Sequence, residues 1–133
     1  GYDDILIGGR FGDPIGSGTS ETYLVYGAAS GIPASLELSS LDGSNGFAMN
    51  GIDAGDQGGY SVSSAGDVNG DGYDDILIGA PNADPGWELN GSSNDGETYL
   101  VYGGETILDA FDLADGVQDG TIQLSHITDE FFF

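Results

Sequence analysis

One short stretch of the chain places oxygen-bearing side chains at every second position. Asp67, Asn69 and Asp71 alternate with other residues, Gly72 follows in the sixth place, and Asp75 stands in the ninth. Ca²⁺ takes about six to eight oxygen ligands, and a short loop supplies them through such alternation, with a glycine where the chain turns sharply. The spacing therefore predicts a calcium-binding loop. The alternative is a solvated turn, since Asp, Asn and Gly favour turns without any metal.

The residues that follow this loop predict a β-strand. The loop begins as an EF-hand loop does, but its twelfth position is Ile78, where an EF-hand has glutamate. Asp75 is followed directly by the apolar run Ile76-Leu77-Ile78, which is short, partly β-branched and ended by Gly-Ala-Pro. This pattern disfavours a helix, so the aspartate-rich loop leads into a buried strand.

The charge balance narrows the range of partners. The 133 residues, enough for one domain, include 23 acidic residues and one basic residue, Arg10, which gives a net charge of −22. Nucleic acid and anionic membrane surfaces are excluded as partners, because both require Lys and Arg. No apolar run approaches the ~18 residues that would span a bilayer. The apolar fraction of 38% nevertheless favours a folded chain over a disordered one.

The chain contains two copies of one unit. Residues 2–8 recur as residues 73–79, and residues 21–27 recur as residues 97–103, without a change in either case. Each copy predicts short strands separated by Gly-rich and Asp-rich turns. We expect residues 5–8 to form a strand buried on both faces. We also expect strands at residues 107–113 and 120–125, where the two copies diverge.

Residues 61–81, together with residues 97–103, resemble the FG-GAP repeat, which builds the β-propeller of integrin α-subunits and of many bacterial surface proteins. The resemblance implies an all-β fold of two four-stranded antiparallel blades in a β-propeller-like architecture. The first blade would cover residues 1–58, and the second would cover residues 59–133 with the C-terminal tail. It also implies that Asp67, Asn69, Asp71, Asp75 and the Tyr73 carbonyl hold the calcium ion.

The first blade departs from this pattern. The sequence starts at the sixth position of its calcium loop, so that Tyr2 and Asp4 match Tyr73 and Asp75, and the inner strand is lacking. Two blades do not close a propeller, which has roughly 4–8. We expect the missing parts to come either from other blades of a longer chain or from self-association into a ring or head-to-tail filament. In the second case the tail completes a neighbouring blade, and Asp129 joins Tyr2 and Asp4 in a partial second site.

The sequence offers few groups for catalysis. It has a single histidine, His126, and neither cysteine nor lysine, and no serine lies in a Gly-x-Ser-x-Gly turn. We therefore predict a non-enzymatic, calcium-stabilised module for adhesion or surface structure, outside the cell or on its surface, with a protein or glycan as ligand. Asn90 begins an Asn-Gly-Ser sequon, which marks a glycan only in a secreted chain.

An enzyme is the alternative reading. In that case the chain belongs to a larger secreted propeller enzyme, a polysaccharide hydrolase or lyase. Its acids would be Asp84, Glu88 and Asp95 in the long loop of residues 81–96, or would lie in the loop of residues 10–20.

Overall fold

The computed structural model of this chain describes residues 1–9, 19–84 and 95–126. Within these ranges the chain forms seven β-strands and one α-helix. In chain order they are β1 (Ile5–Gly9), β2 (Glu21–Val25), β3 (Gly46–Asn50), β4 (Ser61–Gly66), β5 (Asp75–Ala80), β6 (Glu97–Val101), α1 (Glu105–Asp112) and β7 (Thr121–Gln123). Glu88, Asn90 and Asp129, for which predictions are made above, and most of the loop of residues 10–20 lie outside the described residues.

The strands form two sheets, which confirms the prediction of a β fold. The first sheet has the order β1-β2-β3-β7, and the second has the order β4-β5-β6. All neighbours are antiparallel except β3 and β7, which run parallel. The expectation of two four-stranded antiparallel sheets is therefore wrong in detail, because the second sheet has three strands among the described residues and the fourth strand of the first sheet is parallel.

The two copies of the sequence unit pair in the same register. Ile5 lies opposite Val25 in the first sheet, and Ile76 lies opposite Val101 in the second. The tyrosine of each Glu-Thr-Tyr-Leu-Val segment also donates a hydrogen bond to the glutamate two residues earlier, from Tyr23 to Glu21 and from Tyr99 to Glu97. Identical segments thus form equivalent antiparallel strand pairs, because the pattern of apolar side chains along a strand specifies its register.

Equivalent strands nevertheless differ in burial. Ile5 is 45% exposed and Ile7 is 37% exposed, whereas their counterparts Ile76 and Ile78 are 5% and 0% exposed. Strand β5 lies between β4 and β6, while β1 forms an edge of its sheet. The prediction that residues 5–8 are buried on both faces is therefore wrong. In the second sheet β4 covers β5, whereas no strand among the described residues occupies that place beside β1.

The strand expected at residues 107–113 is instead the helix α1. Ile107, Leu108 and Phe111 are spaced to place apolar side chains on one face of a helix, and Leu108 is fully buried. No glycine or proline interrupts residues 105–112, and Gly104, with φ of +101°, allows the turn that precedes them. Helical periodicity thus outweighs the β-branched residues that suggested a strand.

A buried carboxylate at the end of α1 positions β7. Asp112 is 0% exposed, and its Oδ1 accepts hydrogen bonds from the backbone N–H groups of Gly120 (3.0 Å) and Thr121 (2.9 Å). These bonds direct residues 121–123 along β3 of the same chain. The predicted strand at residues 120–125 is confirmed in its first part, and residues 124–126, including His126, form a 3₁₀ turn.

One cluster of buried apolar side chains joins the two sheets. It contains residues of both sheets, of α1 and of the segment around β7, among them Leu24, Phe47, Met49, Ile76, Ile78, Tyr99, Val101, Leu108, Ile122 and Leu124. The sheets also approach closely at Gly8, where a side chain would collide with the carbonyl group of Gly59. Among the described residues, no helix has the length and apolar character needed to cross a membrane.

The difference in burial between the equivalent strands β1 and β5 can be tested by measuring the stability of variants. Replacing Ile78 with alanine is expected to lower the free energy of unfolding by roughly 2–5 kcal/mol, because it leaves a cavity in the core. Replacing Ile7 with alanine, at the matching position of the repeat, is expected to cost about 1 kcal/mol or less. Urea denaturation of both variants tests this. Equal losses would contradict the assignment of β1 as an edge strand.

Candidate metal-binding loop

The aspartate-rich loop connects the first two strands of the second sheet. Strands β4 and β5 pair antiparallel, with a register shift between Ser64 and Gly66 directly before the loop. Residues 67–74 then reverse the chain, and Gly70 and Gly72 have φ values of +77° and +92°. Such backbone angles strain most side chains, which is why glycine occupies these positions.

Asp67 organises the centre of the loop. Its Oδ1 accepts hydrogen bonds from the N–H groups of Gly70 (2.7 Å) and Asp71 (2.9 Å), and its Oδ2 accepts one from Gly72 (2.9 Å). A carboxylate that accepts several backbone N–H groups fixes the turn around itself. Asp67 therefore has a structural role in the loop, in addition to any role as a ligand.

Asn69 and Asp71 add a second set of bonds. The side-chain Nδ2 of Asn69 donates to Asp71 Oδ2 (2.9 Å), and the side-chain Oδ1 of Asn69 accepts from the backbone N–H of Asp71 (3.1 Å). Asp71 Oδ1 accepts from the N–H of Tyr73 (2.9 Å). The alternating positions identified in the sequence thus lie together on one loop and contact one another.

Asp75 joins the loop to the sheet. Its side chain is 0% exposed. Its Oδ2 accepts a hydrogen bond from the N–H of Val68 in the loop (2.8 Å), and its Oδ1 accepts one from the N–H of Gly103, just after β6 (2.9 Å). One carboxylate therefore connects the loop, the start of β5 and the end of β6.

The donor chemistry of the loop suits a hard cation. Three carboxylates and one amide supply only oxygen atoms, which Ca²⁺ prefers. A carboxylate has roughly four lone-pair sites, and Asp71 and Asp75 each use two of them in the bonds described above, so both retain accepting capacity. In the described part of the chain, no group of three or more Asp, Glu, His or Cys side chains is arranged so that it could hold a metal ion, and this includes Asp67, Asp71 and Asp75. Binding of calcium at this loop would therefore require these side chains to converge.

The first copy reproduces one part of this arrangement. Asp4 Oδ1 accepts a hydrogen bond from the N–H of Gly27 (2.8 Å), as Asp75 does from Gly103. Asp4 is exposed, whereas Asp75 is buried. Tyr2 is 63% exposed beside it. The third member of the predicted partial site, Asp129, lies outside the described residues.

A cleft between the two sheets brings the repeated motifs together. It has a volume of about 790 Å³ and is lined by the Tyr-Asp-Asp segments of both copies, residues 2–4 and 73–75. Its wall includes Tyr26, whose hydroxyl is buried without a hydrogen-bond partner. Burial, and then the nearby charges of Asp4, Glu105 and Asp109, raise the pKa of Tyr26 to about 12. The sequence repeat identifies both motifs, but it does not show that they face one cleft.

A second group of acids was not predicted from the sequence. Burial and the neighbouring charges of Asp53, Glu97 and Asp84 raise the pKa of Asp56 above its usual range. Asp84 was predicted as a loop acid, and the structure places it within electrostatic range of Asp56. The only signal for Asp56 is its position in the Gly-rich turn between β3 and β4, and many other aspartates of this chain share that feature.

The fold and the loop define a class of protein, a β-repeat module in which an aspartate-rich loop joins two antiparallel strands. Residues 58–101 match the family model described as FG-GAP repeat. This segment of the chain is therefore similar to an FG-GAP repeat, and it contains β4, the loop, β5 and β6, which are all the strands of the second sheet among the described residues. No curated protein matches the chain.

The two equivalent aspartates are expected to differ in their effect on stability. In calcium-free buffer, Asp75→Ala leaves the N–H groups of Val68 and Gly103 without an acceptor, and we expect a loss of roughly 2–5 kcal/mol in the free energy of unfolding. Asp4→Ala removes one exposed bond and is expected to cost ~0.5–1.5 kcal/mol. Urea denaturation measures both. If Asp75→Ala cost no more than Asp4→Ala, the linking role of Asp75 would be wrong.

Proposed function

We propose that this chain is a non-enzymatic, calcium-stabilised repeat module of an extracellular or surface protein, serving adhesion or surface structure. The observation that carries the proposal is the loop of residues 67–75, in which spaced oxygen donors are held together by their own hydrogen bonds. The FG-GAP repeat at residues 58–101 supports it, through the resemblance to integrin α-subunits noted above.

The electrostatics of the loop supports a cation. Four carboxylates, those of Asp67, Asp71, Asp74 and Asp75, lie within nine residues of sequence, and the only basic side chain of the chain, Arg10, belongs to another segment. Uncompensated like charges repel and destabilise a compact loop. A divalent ion would remove this repulsion, and its binding energy would then add to the folding energy.

The residues that would hold Ca²⁺ are Asp67, Asn69, Asp71 and Asp75, with the Tyr73 carbonyl as the backbone ligand that the resemblance implies. Because Asp75 also bonds to Gly103, an ion bound to it would stabilise the connection to β6 as well as the loop. Calcium at millimolar concentration outside cells would keep even a weak site filled. This chemistry favours an extracellular or surface location.

A propeller-like assembly is the second part of the proposal. Among the described residues β1 pairs only with β2, and the Ile5 and Ile7 side chains on this edge strand are substantially exposed. In the equivalent position of the second sheet, β5 pairs with β4 as well. We infer that the edge of β1 receives an inner strand, either from another blade of a longer chain or from a second copy. Because residues 121–123 pair with β3 in the same chain, a tail donated to a neighbour would use residues after these.

An enzyme remains the second candidate, and one observation favours it. The raised pKa of Asp56, beside Asp53, Asp84 and Glu97, is typical of a carboxyl group tuned for proton transfer. Screening for hydrolase and lyase activity on polysaccharides, with Asp56→Asn as the inactive comparison, separates an enzyme from a binding module.

Calcium is expected to raise Tm through Asp71. At a calcium concentration of about 100 times Kd the stabilisation is ~2.7 kcal/mol, which corresponds to an increase in Tm on the order of 5–15 °C. The measurement is the difference in Tm between calcium and chelator, for the parent chain and for Asp71→Ala. The variant is expected to lose this difference.

The matched control for this experiment is Asp42→Ala. Asp42 also accepts bonds from a turn, from the Ser44 N–H (3.0 Å) and hydroxyl (2.6 Å), but it lies outside the loop of residues 67–75. It is expected to lower Tm in both buffers and to keep the calcium-dependent difference. If calcium left the Tm of the parent chain unchanged, calcium stabilisation would be refuted.

Self-association is expected to depend on the edge of β1. Sedimentation velocity over a range of concentrations is expected to show oligomers of the parent chain and monomers of the Ile5→Lys, Ile7→Lys double variant. The control adds the same charge at Leu113 and Val117, which are 56% and 54% exposed and lie outside the loop of residues 67–75, and it should associate normally. A parent chain that stays monomeric at all concentrations would refute assembly between copies and leave the longer-chain arrangement.

A further inference from the structure

The cleft between the two sheets has an apolar floor. Leu6 and Leu24 contribute from the first sheet, Ile76 from the second, and Leu108 from α1. Leu24, Ile76 and Leu108 are nearly fully buried. A volume of about 790 Å³ is within the range of ligand-binding clefts, which is ~300–1,000 Å³. The cleft therefore has room for the apolar part of a ligand against this floor.

The rim of the cleft is acidic, and three of its acids, Asp3, Asp74 and Glu105, are not among the proposed calcium ligands. In each Tyr-Asp-Asp segment the second aspartate anchors the backbone, as Asp4 and Asp75 do. The first aspartate, Asp3 or Asp74, is exposed and lines the cleft. Asp74 accepts one long hydrogen bond, from the Ser64 hydroxyl at 3.5 Å. Glu105, at the start of α1, adds a further exposed carboxylate.

Three tyrosines complete the lining. Tyr2 and Tyr73 are 63% and 57% exposed at the rim, one from each copy of the repeat. Aromatic faces attract cations. The buried hydroxyl of Tyr26 has no hydrogen-bond partner, although a buried polar group without one is costly.

The combination of an apolar floor with a dispersed acidic and aromatic rim selects an organic cation over a metal ion. A metal ion needs oxygen atoms converging on one point, whereas Asp3, Asp74 and Glu105 come from three separate segments around an open cleft of about 790 Å³. A lysine side chain has a four-carbon apolar stem and a compact charged end with three donors. We propose that this cleft binds a lysine side chain of a partner protein. The stem would lie on the leucine and isoleucine floor, and the ammonium group would lie among Asp3, Asp74 and the tyrosines.

The test uses the folded chain in calcium and a short capped peptide with one central lysine, Ac-Gly-Lys-Gly-amide. Two-dimensional amide NMR is expected to show shifts at Leu24, Tyr26, Tyr73 and Glu105, with a Kd on the order of 1 mM. The matched peptide carries norleucine in place of lysine, and so keeps the stem without the charge. It is expected to cause no saturable shifts. Equal binding of both peptides, or lysine-dependent shifts away from the cleft, would overturn the proposal.

Variants of the chain make the test specific. Asp3→Asn with Asp74→Asn is expected to weaken lysine-peptide binding about fivefold or more. The control pair Asp53→Asn with Asp115→Asn removes the same charge from exposed positions that do not line the cleft, and binding should change by less than about twofold. Equal weakening in both pairs would mean a general attraction to an acidic protein, and would overturn the site.

The calcium-dependent difference in Tm is recorded for a cleft variant as well. Asp3 and Asp74 each adjoin a predicted calcium ligand, so the comparison uses Glu105→Gln, which lines the cleft outside both predicted metal sites and is expected to leave that difference unchanged. A failure of the cleft proposal and a failure of calcium stabilisation are thereby distinguished. Glu105→Gln provides a second weakening variant if the double variant does not fold, and unchanged binding by Glu105→Gln would then count against the proposal.

Discussion

The second sheet depends on one buried negative charge. Asp75 is fully buried, and the described bonds that satisfy its carboxylate come from backbone N–H groups of Val68 and Gly103. A buried carboxylate without such donors is strongly unfavourable, so the loop and the end of β6 must stay within hydrogen-bond distance of it. The acidic loop is therefore part of the sheet's structure, because its conformation is coupled to the pairing of the strands beside it.

Much of the strand pattern could be predicted from the internal repeat, whereas burial could not. Identical segments pair in identical register, as Ile5 with Val25 and Ile76 with Val101 show. Burial depends on what lies on the other side of a strand. Ile78 is enclosed because β4 pairs with β5, and Ile7 is exposed because no described strand does the same for β1. That information lies in the neighbouring segment and not in the strand itself.

The candidate site shows a similar division. Spacing alone identified Asp67, Asn69, Asp71 and Asp75, because oxygen donors at alternate positions with a glycine are a local pattern. The sequence did not show that Asp75 bonds to Gly103, since this contact needs the folded sheet. The apolar spacing in residues 105–112 fits the observed helix, so the strand predicted at residues 107–113 is an error of interpretation and not a lack of local signal. The parallel pairing of β7 with β3 has no local signal, since it joins residues that are distant in sequence.

That pairing has a consequence for how the molecule forms during translation. Ala48 pairs with Thr121, so the outer edge of the first sheet has to wait for residues made much later on the ribosome. Contacts of such wide sequence separation form slowly, because the intervening chain must first close into a loop. In the meantime β3 presents unpaired backbone groups, and exposed strand edges promote aggregation in nascent chains. Residues 121–123 therefore cover the β3 edge only after the residues between these two strands have been synthesised.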